Sequence, residues 1–162
     1  MPSTTASTTP ASTSTGNAVA DPYRITFSWQ RHPGGRPTAP LRRLAAKALQ
    51  LLGHGPTEVG VLVSDDATIR SLNRRFRSKD QPTDVLSFPA DFASPDGAPY
   101  LGDVAISLET ARRQAAARGV PVEREIAVLL LHAIIHLSGH DHEADSGEME
   151  ALEARLRREL LT

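Results

Sequence analysis

Four of the chain's six histidines lie between residues 132 and 142. His132 and His136 are four residues apart, and on an α-helix this spacing places both imidazoles on one face, roughly 6 Å apart along the axis. One metal ion can therefore bind between them. His140 repeats the step, but on an unbroken helix it would lie roughly 12 Å from His132, too far for both to bind one ion at about 2.1 Å. The third ligand must therefore follow a turn.

Gly139 can provide this turn, because glycine readily adopts the left-handed conformation that ends helices. The chain can then turn back and direct His142 at the same ion. Three histidines leave a fourth position for water, which is the composition of a catalytic zinc centre rather than a structural one. The spacing therefore predicts one Zn²⁺ bound by His132, His136 and His142. The plainer alternative is that these histidines cap and cover a buried helix.

The sequence allows more than one role for the residues beside the three histidines. His140 could orient a ligand, contact the substrate or be an ordinary turn residue, and Asp141 could orient a ligand imidazole or be a plain turn aspartate. The spacing also matches the metzincin pattern His-Glu-x-x-His-x-x-Gly-x-x-His, in which the glutamate is the general base. This chain has Ala133 at that position. The motif therefore predicts metal-assisted hydrolysis but argues against a zinc peptidase, which stays an alternative.

Two further blocks precede the histidines, LNRRFRSKDQPTDVLSFP at residues 72–89 and LGDVAIS at residues 101–107. With the histidine motif, and in this order, they closely resemble the YbeY family of bacterial endoribonucleases, and the general layout extends the resemblance over roughly residues 22–161. The chain departs from the family's usual pattern at Ala133, where glycine is usual, and at His140, where tyrosine is frequent. Neither difference removes a ligand.

The resemblance implies a zinc-dependent endoribonuclease specific for single-stranded RNA. It implies a part in maturing the 3′ end of 16S rRNA and in late-stage ribosome quality control, with the ribosome or ribosome-associated proteins as partners and no role for DNA or membranes. It also implies that His132, His136 and His142 bind the metal and that Arg77 helps catalysis or RNA binding. A non-catalytic assembly factor, in which zinc only shapes an RNA-binding surface, is a further alternative.

Arg77 suits a phosphodiester, because a guanidinium holds phosphate oxygens in two places and stays charged. It belongs to a local basic run, for which a solvated helix face is the alternative. The run consists of Arg70, Arg74, Arg75, Arg77 and Lys79. With 18 basic and 19 acidic residues overall, RNA binding should be local and assisted by a partner. Phe76 and Tyr100 are the aromatics that could stack on bases near the site, although a structural role is favoured for each.

The mechanism that these residues suggest is zinc-assisted attack of water on an RNA phosphodiester, with Arg77 stabilising the charge that builds up in the transition state. The candidates for the general base are His140, Asp141, Asp103 and the metal hydroxide itself.

The helices and strands that carry these residues are predicted to form one domain, residues 21–162. It follows a Ser/Thr/Ala/Pro-rich tail, residues 1–20, which is expected to be disordered. The composition of the tail fits neither a signal peptide nor a mitochondrial presequence. Hydrophobic patterning predicts strands at 23–29, 58–64, 84–88 and 104–107, and helices at 41–52, about 66–76, 108–118, across the histidines, and after 148. The fold class is mixed α/β, with one sheet of about four strands surrounded by helices and a buried metal-binding helix. The lack of cysteine and of a membrane-spanning run suits the cytoplasm.

Overall fold

The computed structural model of the chain describes residues 21–90, 93, 95–97, 99–139 and 147–161. The elements in these residues are β1 (Tyr23–Trp29), α1 (Thr38–Leu51), β2 (Thr57–Ser64), α2 (Asp66–Arg77), β3 (Val85–Pro89), β4 (Tyr100–Ser107), α3 (Leu108–Arg118), α4 (Val122–Leu137) and α5 (Glu148–Leu160). The predicted mixed α/β fold with one four-stranded sheet is confirmed. The predicted tail, residues 1–20, lies outside the described residues.

The sheet has the strand order β1-β2-β4-β3. β1, β2 and β4 are parallel, and β3 pairs antiparallel with β4, so β3 forms one edge of the sheet. Each parallel pair is joined by a connection that contains a helix, as such pairs require. β4 contributes Gly102, where a side chain would collide with the Phe88 carbonyl and would lie 2.7 Å from a methyl group of Leu137. Glycine therefore lets β3 and α4 approach β4 closely.

The two faces of the sheet are covered unequally. On one face Val59, Val61 and Val63 of β2 are buried in the main core, to which α1, α3, α4 and α5 contribute. On the other face α2 is the helix that packs within the described residues, and its Ile69 forms a small second cluster with Leu86 and Ala105. This split follows from strand geometry, because successive side chains point to opposite faces.

Helix α4 is the most buried of the described helices, with 11 of its 16 residues buried. Its sequence is apolar on nearly every side, as expected for a helix enclosed by neighbours. The helix begins after Pro121 and ends at Leu137, and Gly139 then adopts a left-handed φ of 97°. The turn predicted at Gly139 is therefore present, and α4 is the predicted buried helix that carries the histidines.

Two elements begin three or four residues before their predicted starts, whereas the other predicted strand starts agree within one residue. Helix α1 begins at Thr38 and not at Leu41, because Pro40 falls in the first turn, where backbone N–H groups have no helical acceptor. Strand β4 begins at Tyr100, four residues before the predicted start at Val104. Glycine and aspartate at positions 102 and 103 have low strand propensity, but pairing with β2 and β3 holds them in the sheet.

Candidate metal centre

The histidine pair on α4 has the geometry that its spacing predicts. The Nε2 atoms of His132 and His136 are 3.0 Å apart, and the two rings are inclined at 69° with centroids 4.6 Å apart. Two nitrogens that bind one tetrahedral zinc ion at about 2.1 Å would be roughly 3.4 Å apart. The pair is thus within a few tenths of an ångström of the spacing that an ion between them requires. Both side chains are partly exposed, whereas the flanking residues of α4 face the core.

Glu153 of α5 fixes the orientation of the first imidazole. Its Oε1 lies 2.5 Å from Nδ1 of His132, and its Oε2 accepts a hydrogen bond of 3.0 Å from Arg157. A carboxylate only accepts hydrogen bonds, so the proton of the neutral ring belongs on Nδ1 and Nε2 is the unprotonated nitrogen. This is the form in which imidazole binds metal, and carboxylates commonly hold ligating histidines in this way. The donor set therefore suits a metal ion.

Sequence reasoning missed Glu153. In the sequence it appears as an ordinary Glu-Arg pair with four-residue spacing on a surface helix, Glu153 with Arg157. Its contact with His132 spans 21 residues and depends on how α5 packs against α4. No local pattern reports such a packing.

The histidine cavity, of about 250 Å³, lies between α4 and the edge strand β3. It is lined by Arg77, Thr83, Asp84, Val85, Leu86, Ser87, His132, Ala133 and His136. The predicted catalytic arginine thus lies across one cavity from the predicted metal-binding pair. The Arg77 guanidinium donates a 2.8 Å hydrogen bond to the Ser87 carbonyl and remains exposed. It can therefore meet an anion that enters the cavity.

Asp84 is a carboxylate in the cavity wall that was not among the predicted site residues. One oxygen accepts from the backbone N–H of Val85 at 2.7 Å, and the other accepts from the Gln114 amide at 3.2 Å. These donors hold the carboxylate in a fixed orientation. Its position directly before β3, in the block 72–89 quoted above, is the signal that could have identified it.

Asp103 does not belong to this cavity, although it was one of the predicted candidates for the general base. Alternation along β4 turns Asp103 toward the face that carries α2, while Val104 is buried in the core beside α4. Asp103 accepts a short hydrogen bond from the Tyr100 hydroxyl, and both residues line a separate, larger cavity. Asp103 is therefore unsuited to act on water at the histidines.

Three predicted site residues lie outside the described residues. They are His140, Asp141 and His142, so the third ligand remains a prediction. Within the described part of the chain, no group of three His, Cys, Asp or Glu side chains comes together that could hold a metal ion. The pair with its glutamate is the part of the centre that the described residues contribute.

Among the basic side chains of α2, Arg70 has an intramolecular partner. Its guanidinium donates two hydrogen bonds to Asp80, at 2.8 and 3.1 Å. These hydrogen bonds lower the pKa of Asp80 and raise that of Arg70. Arg70 therefore fits the alternative of a solvated helix face, whereas Arg77 faces the cavity.

The chain matches known proteins over most of its length. The family model for Endoribonuclease YbeY matches residues 37–161, which include every residue that lines the histidine cavity. The chain belongs to the YbeY family. The Endoribonuclease YbeY of Solibacter usitatus is 42% identical over 142 residues, covering 88% of this chain and 92% of that protein. The Endoribonuclease YbeY of Koribacter versatilis is 52% identical over 103 residues, covering 64% of each chain.

The fold of this YbeY-family chain is also found in a solved structure. The solution structure of TM1509 from Thermotoga maritima has a TM-score of 0.59 and 26% sequence identity, and the match covers 85% of this chain and 88% of that one. No helix in the described part of the chain is long and apolar enough to cross a membrane.

Proposed function

We propose that this protein is a metal-dependent endoribonuclease that cleaves single-stranded RNA, with one Zn²⁺ held by His132, His136 and His142. The observation that carries the proposal is the cavity shared by Arg77 and the histidine pair. The YbeY relatives, named as endoribonucleases, supply the class of reaction. By the resemblance seen in the sequence, the substrate is the 3′ end of 16S rRNA, and the setting is late-stage ribosome quality control in the cytoplasm, with ribosomal partners.

A bound zinc ion would supply Lewis-acid polarisation of a phosphoryl oxygen and would make water more acidic. The protein supplies the rest. Glu153 holds His132 in the metal-binding tautomer, and Arg77 neutralises the charge that develops on the phosphate as the bond to the leaving group breaks. Its hydrogen bond to the Ser87 carbonyl positions the guanidinium at the cavity wall. Arg77 thus acts on the substrate and is not a ligand of the metal.

We add Asp84 to the remaining predicted candidates for the general base, which are His140, Asp141 and the metal hydroxide. Asp84 is the carboxylate that lines the cavity within the described residues, and its backbone and amide donors hold it there. It can accept a hydrogen bond from the attacking water or hydroxyl. Ala133, also in the wall, offers no group that takes a proton, and this argues against peptide hydrolysis by the metzincin route.

The experiment that tests the proposal is cleavage of a labelled, single-stranded fragment of the 16S rRNA 3′ end by metal-loaded protein, with zinc quantified in each sample. We expect His136→Ala to lose both zinc and cleavage, because one of the predicted ligands is gone. Arg77→Ala should keep zinc and lose cleavage. Arg70→Ala is the matched control, since its guanidinium pairs with Asp80 away from the cavity, and it should keep both.

Three results would contradict the proposal. Equal cleavage by wild type, His136→Ala and Arg77→Ala would indicate a contaminating nuclease. RNA binding without cleavage by zinc-loaded wild type would favour the non-catalytic assembly factor. Cleavage of an unstructured peptide in a parallel reaction would favour the peptidase.

A further inference from the structure

The described residues cover only part of the sheet face that carries α2. Beside α2, a cavity of about 720 Å³ opens over β1 and β2, and we call it the sheet groove. One row of residues crosses all four strands on its floor, because the sheet register pairs Phe88 with Asp103, Asp103 with Gly60, and Gly60 with Thr26. An aromatic ring, a carboxylate, a glycine and a hydroxyl therefore lie side by side.

Gly60 is the position in this row that has no side chain. A Cβ atom at Gly60 would collide with the Asp103 carboxylate and would lie 2.9 Å from the Tyr100 hydroxyl oxygen. The neighbouring positions of β2, Val59 and Val61, carry full side chains into the core on the opposite face. Glycine at position 60 thus makes room for the Asp103 carboxylate and the Tyr100 hydroxyl on the floor of the sheet groove.

The wall of the sheet groove toward α2 is aromatic. Phe76 is 58% exposed, and its ring packs edge-on against Phe88 with centroids 5.4 Å apart. The Arg75 guanidinium lies 5.2 Å from the centre of the Phe76 ring. Leu51 is the other large apolar side chain that is exposed in the described part of the chain, and it does not line the groove. Phe76 and Phe88 together form an apolar surface at the cavity, on which a flat ligand can pack.

The floor provides a fixed hydrogen-bond acceptor. Asp103 is exposed, and within the described residues its hydrogen-bond partner is the Tyr100 hydroxyl. Burial and the neighbouring carboxylate raise the pKa of Tyr100, so the phenol stays protonated and donates to Asp103 at neutral pH. The carboxylate is thereby oriented and keeps capacity to accept further hydrogen bonds, since each of its oxygens has two lone pairs.

Arg77 lies between the sheet groove and the histidine cavity, beside the edge strand β3. The arginine lines the histidine cavity, and its guanidinium lies 6.0 Å from the centre of the Phe88 ring, which lines the groove. The edge strand β3 contributes to both cavities. A strand whose phosphate is held at Arg77 can therefore extend a neighbouring base over the edge of the sheet.

We propose that the sheet groove is a nucleobase subsite, in which one unpaired base of the RNA strand stacks on the exposed Phe76 ring, packs against Phe88 and donates hydrogen bonds to Asp103. This inference rests on the proposed endoribonuclease function. Proteins that recognise single-stranded RNA combine the same elements, aromatic stacking and hydrogen bonds to the base edge. Guanine is the preferred base, because its adjacent N1–H and N2–H groups match the two oxygens of a carboxylate. Uracil has one N–H between two carbonyls, which a carboxylate repels.

The first test is an NMR titration of the full chain with guanosine 5′-monophosphate and, separately, uridine 5′-monophosphate. We expect the guanine nucleotide to shift the amide signals of Gly60 and Asp103, and the uracil nucleotide to bind at least tenfold more weakly. Phe76→Ala should weaken guanine binding about tenfold, the loss expected for one stacked base, and Phe76→Tyr should restore it. Asp103→Asn should abolish the difference between the nucleotides. Leu51→Ala removes a comparable exposed side chain outside the groove and should change nothing.

The titration does not depend on cleavage, so a failure of the proposed function would not be mistaken for a failure of the subsite. A second test compares the KM of wild type and Asp103→Asn for two single-stranded RNAs that differ by guanine or uracil beside the cleaved bond. The wild type should have the lower KM for guanine, and the variant should not discriminate. Amide shifts confined to residues outside the groove, or equal KM values in wild type, would overturn the proposal and leave the groove to a protein partner.

Discussion

At the scale of single residues, Glu153 determines which nitrogen of His132 faces the cavity. The carboxylate is held by Arg157 and accepts from Nδ1, so rotation of the imidazole would cost a charge-assisted hydrogen bond. A histidine oriented in advance loses less entropy when it binds a metal. The glutamate should therefore contribute to metal affinity without contacting the ion.

We predict that Glu153→Gln lowers zinc affinity about 10- to 100-fold, because carboxylates that orient ligating histidines contribute on this order. Chelator competition with spectroscopic detection measures the change, and saturating zinc should restore RNA cleavage. Glu159→Gln is the matched control on α5, since Glu159 is exposed and lies 3.7 Å from Arg155, a residue that does not line the histidine cavity. Equal zinc affinity in the two variants would contradict the role given to Glu153.

The candidate site was predictable to the extent that it is local in sequence. Four-residue spacing on a helix is a property of the α-helix itself, so it placed His132 and His136 together. Arg77 came from a resemblance that no spacing rule supplies. Glu153 and Asp84 could not be assigned from spacing alone, because α5 reaches His132 and β3 borders α4 only through tertiary packing.

At the scale of elements, Asp66 joins the start of α2 to the start of α3. It accepts hydrogen bonds from Ser107 at 2.5 Å, from Thr110 at 2.7 Å and from Arg113 at 3.0 Å. Desolvation raises the pKa of Asp66, but these three donors together outweigh it, and the net pKa lies below the usual 3.8. Ser107 also caps α3 through the Thr110 N–H, so one carboxylate organises two helix termini.

We predict that Asp66→Asn lowers the free energy of unfolding by about 2 kcal/mol at pH 7, the usual contribution of hydrogen bonds to a charged group. Because the folded pKa is below the unfolded one, the contribution is present above about pH 4 and is lost as pH falls through 3.8 and below. Urea unfolding at pH 7 and pH 3 should show the difference between wild type and variant shrinking. Asp80→Asn, at an exposed site, should lower the free energy of unfolding by less at pH 7. If the loss caused by Asp66→Asn did not change with pH, the role given to the Asp66 carboxylate would be wrong.

A second prediction at this scale concerns the close approach of β3, β4 and α4. Gly102→Ala should destabilise the fold by about 2 kcal/mol or more, because the new methyl group meets backbone atoms of Phe88 and Pro89 that cannot move independently. Gly55→Ala is the control, since nothing lies within 4 Å of a Cβ there. Thermal unfolding measures both. Equal melting temperatures would show that β3 can shift to accommodate the methyl group.

The elements themselves were largely predictable from hydrophobic patterning. Alternation in β1 and β2 and the apolar run of α4 each correspond to an observed element, because burial on one or all sides leaves a periodic trace. The start of β4 did not follow from the pattern. Gly102 allows close packing of β3 and α4, and Asp103 lines the sheet groove. Residues selected for such roles often have low strand propensity.

At the scale of the whole molecule, positive and negative charges nearly balance, and several arginines pair with carboxylates within the fold. The sequence carries a net charge of −1. Ion pairs in the described part include Arg24 with Asp96, Arg31 with Asp65, Arg70 with Asp80, Arg113 with Asp66 and Arg118 with Glu125. Arg75 and Arg77 instead contact aromatic rings, and Arg77 also a backbone carbonyl. Attraction for RNA should therefore be confined to this small region.

We predict a weak salt dependence of RNA binding. Two phosphate contacts on a single strand correspond to a slope of log K against log salt concentration of about −1.4. Fluorescence anisotropy with a 2′-O-methyl strand, which resists cleavage, measures the slope for zinc-loaded protein. Arg77→Ala should reduce its magnitude by about 0.7, whereas Arg70→Ala should not. A slope steeper than about −4 would indicate a broad basic surface that this fold does not provide.

The strand order has a consequence for cooperativity. β4 follows β3 in the sequence but lies between β2 and β3 in the sheet. In the described sheet, β3 therefore pairs only with β4, residues 100–107. Arg77 is held by the Ser87 carbonyl of β3, and Phe88 belongs to β3. Gly60 and Thr26 belong to β2 and β1, on the other side of β4 from β3. Opening β4 would therefore separate the sheet into two parts and dismantle both cavities at once. Because β4 lies inside the described sheet and supports both cavities, its amides should be among the slowest to exchange with solvent.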